Sequence, residues 1–558
     1  MINGPSRASL AIPLGAFPPL RLVFARLSSR LACIAVLFIL ELLVVSLWLD
    51  TKALDGRGGL IGAVGDYGPH LLQSLVVFTT VFLAFGYSNA KEALSTISDR
   101  LAGTPFVWSY LAAHGAGMIA FAFLSTVLFG GVQGLLGNLI ASIWLGTGIL
   151  GIVTALFFFV PPKTVRELLG NTGSAWIYAV PAAALTPALV IASKRLWKPA
   201  TALTFEIVKS ILNPFVPGFV ADPATKIIGT QKFTVQIAPG CSGLEGMGLM
   251  LIFGVLWLWF FRRDFIFPRA LLLIPFGVSL IFLLNAARIA TLILIGDAGA
   301  QAVALGGFHS QAGWIAFNGV ALGLACVAHR VQWLSSTRTP VERAERWVEN
   351  PTAAYLVPAL AILAAAMVSR AGSGGFEWMY PLRFVAAAGT LLLFRRQYMS
   401  LNWKCGWVAP VVGGIVFVLW ISLDRIAGTG AVSGMAAELA ASPAPVRITW
   451  LVIRVLAAVV TVPIAEELAF RGFLLRRLIS ADFESVSFQR WTLVAVFVSS
   501  VAFGLLHGDR WIAGSIAGLL YAGAQKWRGR IGDAVVAHGV TNALISIAVL
   551  WGGNWSLW

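Results

Sequence analysis

Long apolar runs recur along almost the whole of this chain, and lipid is the environment that can bury so many of them. Near residues 31–49, 70–88, 106–129, 138–160, 174–193, 243–261, 267–296 and 310–328 the sequence stays apolar for about the length an α-helix needs to cross a bilayer. A second series follows near 353–369, 380–394, 407–424, 447–466, 491–507, 511–525 and 531–552, its shorter members suited to tilted or re-entrant helices. A soluble domain needs polar surface that this chain lacks: 58% of its 558 residues are hydrophobic and 11% are charged, with a mean hydropathy of +0.84. The sequence predicts an all-α polytopic membrane protein of about 14–15 transmembrane helices in two bundles, with the lipid bilayer as its solvent.

The formal charge of +16 is spread in short Lys/Arg clusters between the apolar runs. That is the pattern of cytoplasmic loops rather than of a nucleic-acid surface, so no nucleic-acid partner is expected. The clusters FRRDF (261–265) and HRVQW (329–333), together with a basic start at Arg7, Arg21, Arg26 and Arg30, put the N-terminus in the cytoplasm. Lys194, Arg195 and Lys198 then lie outside, in a long loop that tolerates such charge. No small-residue cleavage pattern follows the run 31–49, which reads as a first anchor rather than a signal peptide.

Four domains are expected: a basic N-terminus over 1–30, a membrane domain over 31–330, a charged cytoplasmic linker over 331–352 and a second membrane domain over 353–558. The segment of about 194–240, with five prolines, the amphipathic TALTFEIVKSIL and the alternating KFTVQIA, reads as a small extracytoplasmic loop or hairpin. Cys33, Cys241, Cys326 and Cys405 show no CxxC spacing, which argues against a disulfide framework or a zinc site.

Two polar clusters interrupt the apolar pattern. In the first, Cys241 follows Pro239 and Gly240 and is expected to open a helix at its outer end, where free N–H groups favour thiolate. Arg288 lies inside an apolar run, a costly position unless it is paired or lines a polar cavity. His309 begins the next helix, and the orientation brings all three to one membrane face. The chemistry that fits is thiol acyl transfer: Cys241 attacks a peptide carbonyl, His309 manages protons and Arg288 stabilises the oxyanion.

This pattern of a CSG cysteine (Cys241), a membrane arginine (Arg288) after an asparagine (Asn285) and a histidine (His309) opening the next helix resembles the exosortases, over roughly residues 30–330. The resemblance implies a bacterial inner-membrane transpeptidase. Its substrates would be exported proteins carrying a C-terminal sorting motif, a transmembrane helix and a basic tail, which it cleaves and transfers to an acceptor. Glu245 is given no catalytic role.

The second cluster starts in VPIAEELAFRGFLLRRL, on a helix entering or leaving the membrane. Glu467 and Arg471, four apart, can pair on one face, while Glu466 points about 100° away and stays free for chemistry. His507 closes VAFGLLHG, and His538 and Asn542 stand one turn apart in AHGVTNA. A free carboxylate facing two histidines and an amide can activate a water and stabilise an oxyanion, the requirements of peptide hydrolysis. A metal held by Glu466, His507 and His538 is the competing chemistry, although HExxH is absent, and no cofactor is otherwise expected.

The trio of EExxxR, Phe503 with His507, and His538 with Asn542 resembles the CPBP intramembrane proteases, relatives of the CAAX-processing endopeptidase, over about 400–555. The two resemblances in this order look like the fused exosortase E/protease type, associated with a VPEID-CTERM sorting signal. One tension remains. Arg476, Arg477 and KWRGR (526–530) draw Glu466 and His538 toward the cytoplasm, yet His507 ends a span that starts there. It requires either a long, tilted glutamate helix or a short, partly re-entrant span before His507. Rival readings are an ion- or proton-coupled transporter, which predicts internal repeats not found here, and a non-catalytic C-terminal scaffold. Glu41, His70, His114 and His329 are expected simply to be buried in the bundle or placed at its interfaces.

Overall fold

A computed structural model describes residues 104–336, 347–427 and 434–558 without a break, and parts of 37–86. The expected N-terminal domain 1–30, most of the run 31–49 and the middle of the linker lie outside the described residues. The described residues fall into two compact units, one ending at Leu196 and one running from Trp197 to Trp558.

The first unit holds α1 (Gly59–Tyr67), α2 (Trp108–Phe129), α3 (Gly134–Phe159), α4 (Pro162–Thr172) and the start of the long α5 (Ser174–Leu212). The helices α2 and α3 form a hairpin closed on small residues, with Gly117 against Gly151, and with Phe121 stacked on Trp144 at 4.9 Å. The Trp144 indole N–H donates to Ser125 Oγ at 2.8 Å, which satisfies the one polar atom of a buried ring. His114 is buried here, bonded through Nε2 to Glu41 Oε1 at 2.8 Å and through Nδ1 to Gly151 O at 3.0 Å.

In the second unit α5 continues to Leu212, so the amphipathic TALTFEIVKSIL extends that helix rather than lying in a loop. A three-stranded antiparallel sheet follows in place of a simple hairpin: β1 (Val220–Asp222), β2 (Ile227–Gly229) and β3 (Thr234–Gln236), in the order β1-β2-β3. Ala221 pairs with Ile228, which pairs in turn with Val235. The β1–β2 turn is pinned by Asp222, whose carboxylate accepts from Ala224 N–H and the Thr225 hydroxyl and is thereby held below its usual pKa. The sheet sits on Phe205, Val208 and Leu212 of α5, with Ile228, Ile237 and Ile289 completing one apolar core against which Cys241 packs.

The remaining helices are α6 (Leu244–Phe260), α7 (Leu273–Asp297), α8 (His309–Arg330), α9 (Pro351–Ala371), α10 (Pro381–Leu393), α11 (Val408–Ala427), α12 (Met435–Ala441), α13 (Ala444–Arg477), α14 (Leu493–Leu505), α15 (Trp511–Arg528) and α16 (Ile531–Leu550). Helix α9 starts at an Asn350 cap, whose side chain accepts from Ala353 N–H, with Pro351 at the first position; Thr492 caps α14 in the same way. Eight helices among the described residues are long and apolar enough to cross a membrane, or nine if a bent pair counts as one span. The protein is an all-α, multi-pass membrane protein. Among the described residues full-length spans are fewer than the 14–15 apolar runs: the runs near 31–49 and 70–88 lie largely or partly outside those residues, α6 has 17 residues, and α10 and α14 have only 13 each, less than a bilayer's thickness.

Basic residues occur at both ends of the second unit and are more numerous at one. Arg262, Arg263, Arg330, Arg395, Arg396, Arg476, Arg477, Lys526, Arg528 and Arg530 all stand at one end of their helices. That basic end is tied together by Ile266 N–H to Leu334 O at 2.8 Å and Gly406 N–H to Asp533 Oδ1 at 2.6 Å. At the far end Gly307 N–H donates to Ser373 O at 3.1 Å, Trp450 Nε1 to Glu377 O at 3.2 Å, and Arg510 pairs with Asp424.

Candidate active sites

The cysteine site is held by backbone contacts more than by side-chain pairs. Cys241 ends a 3₁₀ turn over Pro239–Cys241 and precedes α6, which begins only at Leu244. It therefore stands just ahead of the helix, two residues before its Gly243 N-cap, rather than in its first turn. The Cys241 carbonyl accepts from Asn285 Nδ2 at 3.0 Å, and the Ser242 carbonyl accepts from the Thr204 hydroxyl at 3.0 Å, so α7 and α5 clamp the loop from both sides. Gly243 has φ +85°, and a Cβ there would lie 3.0 Å from Asn285 Nδ2, which explains why CSG ends in glycine.

Arg288, one turn beyond Asn285 on α7, lines a cavity of about 220 Å³ together with Gly240, Glu245, Asn285, Ser310 and Gly313. Its Nη1 lies where a Gly313 Cβ would come within 2.8 Å, so glycine lets the guanidinium lie against α8. Arg288 is within electrostatic reach of Cys241 and Glu245, and His309 within reach of Arg288. Of the three expected residues only Arg288 lines the cavity; Cys241 and His309 stand next to its lining residues Gly240 and Ser310, each within electrostatic reach of Arg288. Glu245, given no role from the sequence, is a second charge beside it. No hydrogen bond joins the Cys241 thiol to His309, which is exposed at the start of α8 after a π-helical turn over Ala304–Phe308.

The glutamate site lies inside α13, not at a helix end. This helix runs for 34 residues and contains two π-helical stretches, Ala457–Thr461 and Leu468–Leu474, that flank the carboxylate pair. Pro463 has no N–H to give, and in a π register its partner would be the carbonyl of Ala458. Asn542 Nδ2 donates to that carbonyl at 2.7 Å from α16 and supplies the missing bond. The amide's second hydrogen remains for the cavity that Asn542 lines.

Glu467 and Arg471 pair as the spacing predicts, Oε1 to Nη1 at 3.2 Å, both wholly buried, and Arg471 Nη2 also donates to Gly518 O at 3.0 Å. His538 Nδ1 bonds to the same Glu467 oxygen at 3.0 Å. Of the adjacent carboxylates, the fully buried Glu467 takes both the arginine and the histidine as hydrogen-bond partners. Glu466 instead lines a cavity of about 530 Å³ with His507, His538 and Asn542, and its buried Oε2 has no protein partner among the described residues. His507, bonded through Nδ1 to Phe503 O at 3.0 Å, lies within electrostatic reach of Glu466.

The chain length on either side resolves the tension over depth. The glutamate helix is long and α14, which delivers His507, is short, so the far end of α14 meets the middle of α13.

Tyr521 belongs to the site but went unnoticed in the sequence. Its ring stacks on His538 at 4.9 Å and 16°, and its hydroxyl donates to Thr541 Oγ1 at 2.8 Å. Phe503 presents its edge to His538 and its face to Arg471, 4.3 Å from the guanidinium carbon. The clue to Tyr521 is its place after Gly514 and Gly518, whose lack of side chains lets α15 approach α14: a Cβ on Gly518 would meet Ser500 Cα at 2.9 Å. No three His, Cys, Asp or Glu side chains among the described residues converge as a metal-ligand group. Of the four residues left without a role, Glu41 and His114 pair with each other, His329 packs against Phe265 at 5.0 Å, and His70 bonds to Gln73.

Family models match both parts of the chain. The transmembrane exosortase model covers residues 33–326, just over half of the sequence, and the type II CAAX prenyl endopeptidase Rce1-like model covers residues 448–544. No curated protein and no solved structure gives a match. The Cys241, Arg288 and His309 cluster lies wholly within the first match and the Glu466 cluster within the second. These are peptidase and transpeptidase families, so the protein is a membrane enzyme of protein sorting and proteolysis whose substrates carry sorting signals. The chain belongs to the transmembrane exosortase family and carries an Rce1-like CAAX protease domain on its C-terminal side.

Proposed function

We propose that the protein is a cysteine transpeptidase joined to a glutamate-dependent intramembrane endopeptidase. Cys241 attacks a peptide carbonyl of an exported protein, forming a thioester and releasing the C-terminal fragment as an amine that His309 protonates. An acceptor nucleophile then takes the acyl group and restores the thiol. Arg288 stabilises the oxyanion that forms in the attack. The observation that carries this reading is the clamped Cys241 loop beside a membrane arginine with a buried, unpartnered Nε.

In the second site Glu466 takes a proton from water, the hydroxide adds to a peptide carbonyl, and the free Asn542 N–H stabilises the oxyanion before the proton passes to the leaving amine, while His507, whose Nδ1–H goes to Phe503 O, offers its Nε2 lone pair to orient the water. Glu467 and Arg471 hold His538 in place, and the reaction uses no metal. Positive-inside bias makes the basic end cytoplasmic, so the cysteine loop faces the other side, in a bacterial inner membrane. Processing of a tagged substrate with a sorting motif, a transmembrane helix and a basic tail should stop in Cys241→Ala; unchanged processing refutes the first assignment. Purified protein treated with a chelator should keep its endopeptidase activity, and loss that zinc restores would overturn the metal-free reading.

A further inference from the structure

The cavity around Glu466 also carries a positive cluster that the hydrolytic chemistry leaves unused. Arg370, Arg383 and Arg454 line it toward the far end, and Glu466 is its only acidic lining residue among those described. Beside them stands a single carboxylate, Glu377. Its Oε1 accepts from Arg370 Nε at 3.2 Å, and its Oε2 accepts from Arg383 Nη2 and, at 3.4 Å, from the Ser369 hydroxyl. Arg454 has no carboxylate partner among the described residues. Its guanidinium carbon lies 3.9 Å from the Tyr380 ring centre and 5.1 Å from that of Trp558, an arrangement that leaves the N–H edge for an anion. The Nε atoms of Arg383 and Arg454 are buried without a hydrogen-bond partner among the described residues. Arg370 is 56% exposed and solvated, so the unmet demand lies with the half-buried Arg383 and Arg454, which have one carboxylate partner between them and N–H groups to spare for a further anion.

We propose that Arg383 and Arg454 form a subsite for a carboxylate of the peptide that is cut at Glu466, so that the C-terminal domain selects acidic peptides. The proposal rests on the hydrolytic reading of the Glu466 cavity, because a ligand that reaches both parts of one cavity is the substrate. Position follows from the helix. Arg454 and Glu466 are twelve residues apart on α13. At 1.5 Å per helical residue and 3.3 Å per extended residue, the carboxylate falls about five or six residues from the scissile bond. Either an Asp or Glu side chain or the chain's own C-terminus at that distance supplies it.

The test is peptide binding, by fluorescence anisotropy, to the full chain carrying Glu466→Gln in nanodiscs of phosphatidylcholine, where no hydrolysis is needed. Peptides carry Glu or Gln five or six residues to either side of the central bond, and in a parallel pair a free or amidated C-terminus at that distance. A carboxylate in register should tighten binding about tenfold, as expected of a charge-assisted bidentate contact, and the pair that shows it identifies its source. The preference should fall to within twofold in Arg454→Gln and Arg383→Gln, and Arg454→Glu should reverse it in favour of the Gln peptide. Equal affinity for acidic and neutral peptides, or a preference that survives both arginine substitutions, overturns the proposal. So does a preference abolished by phosphatidylglycerol nanodiscs, which would make a lipid headgroup the occupant. Hydrolysis persisting in Glu466→Gln refutes the catalytic reading separately, since the binding comparison does not depend on turnover.

Discussion

Adjacent carboxylates in one helix have been given opposite tasks by what surrounds them. Glu467 is wholly buried and shares one oxygen between Arg471 and His538, whereas Glu466 keeps an oxygen unbonded at a cavity wall. Removing one member of a buried ion pair leaves the other uncompensated, at about 3–5 kcal/mol. Glu467→Gln should therefore lower the melting temperature strongly, while Glu466→Gln should melt close to the parent and lose only hydrolysis. Similar melting of the two variants would contradict the division of labour. Asn542 has a role that can be isolated in the same way. Asn542→Leu should cost about 1–3 kcal/mol by leaving the Ala458 carbonyl unpaired. Much of that loss should disappear on a Pro463→Ala background, where the helix recovers its own donor. A double-mutant cycle with no coupling between the two positions would reject the explanation.

At the scale of elements, α13 is the organiser. Its two π stretches bracket the Glu466–Glu467 pair, and its length lets the short α14 and the middle of α16 meet it where the carboxylates are. The approach of α15 depends on Gly504, Gly514 and Gly518, since a Cβ at Gly514 would come within 2.9 Å of Gly504 Cα. Gly518→Val should push α15 from α14, disturb Arg471 and lower both stability and endopeptidase activity, leaving cysteine-dependent processing in place. Retention of full endopeptidase activity would show that the close packing is not required. In the cysteine site the comparable element is the sheet: β1, β2 and β3 cover the end of α5 and α7 and hold the loop that presents Cys241.

Over the whole molecule, hydropathy alone located most of the helices, because bilayer thickness imposes a length that a single sequence displays. The i,i+4 pair of Glu467 and Arg471 was legible for a similar reason, as helix geometry makes those two residues neighbours. What the chain did not display was any choice that depends on a distant partner. His538 could have met either carboxylate until burial decided for Glu467, and Cys241 could not be separated from its helix until the left-handed Gly243 was seen. The π stretches have no hydropathy signature, and the third strand and the stacking of Tyr521 arise only in tertiary contact. The expected boundaries at 331 and 353 concern sequence segments. In space both candidate sites lie in the unit that runs from Trp197 to Trp558.

The independence of two active sites in one membrane unit, that of Cys241 and that of Glu466, should show as separable losses of product. It is tested most directly by following a single tagged substrate through the full-length parent, Cys241→Ala, Glu466→Gln and the double variant, with products identified by mass spectrometry. Cys241→Ala should abolish the transferred product while a model peptide is still hydrolysed, and Glu466→Gln should do the reverse. Loss of both activities in either single variant, with protein levels and melting unchanged, would contradict that independence.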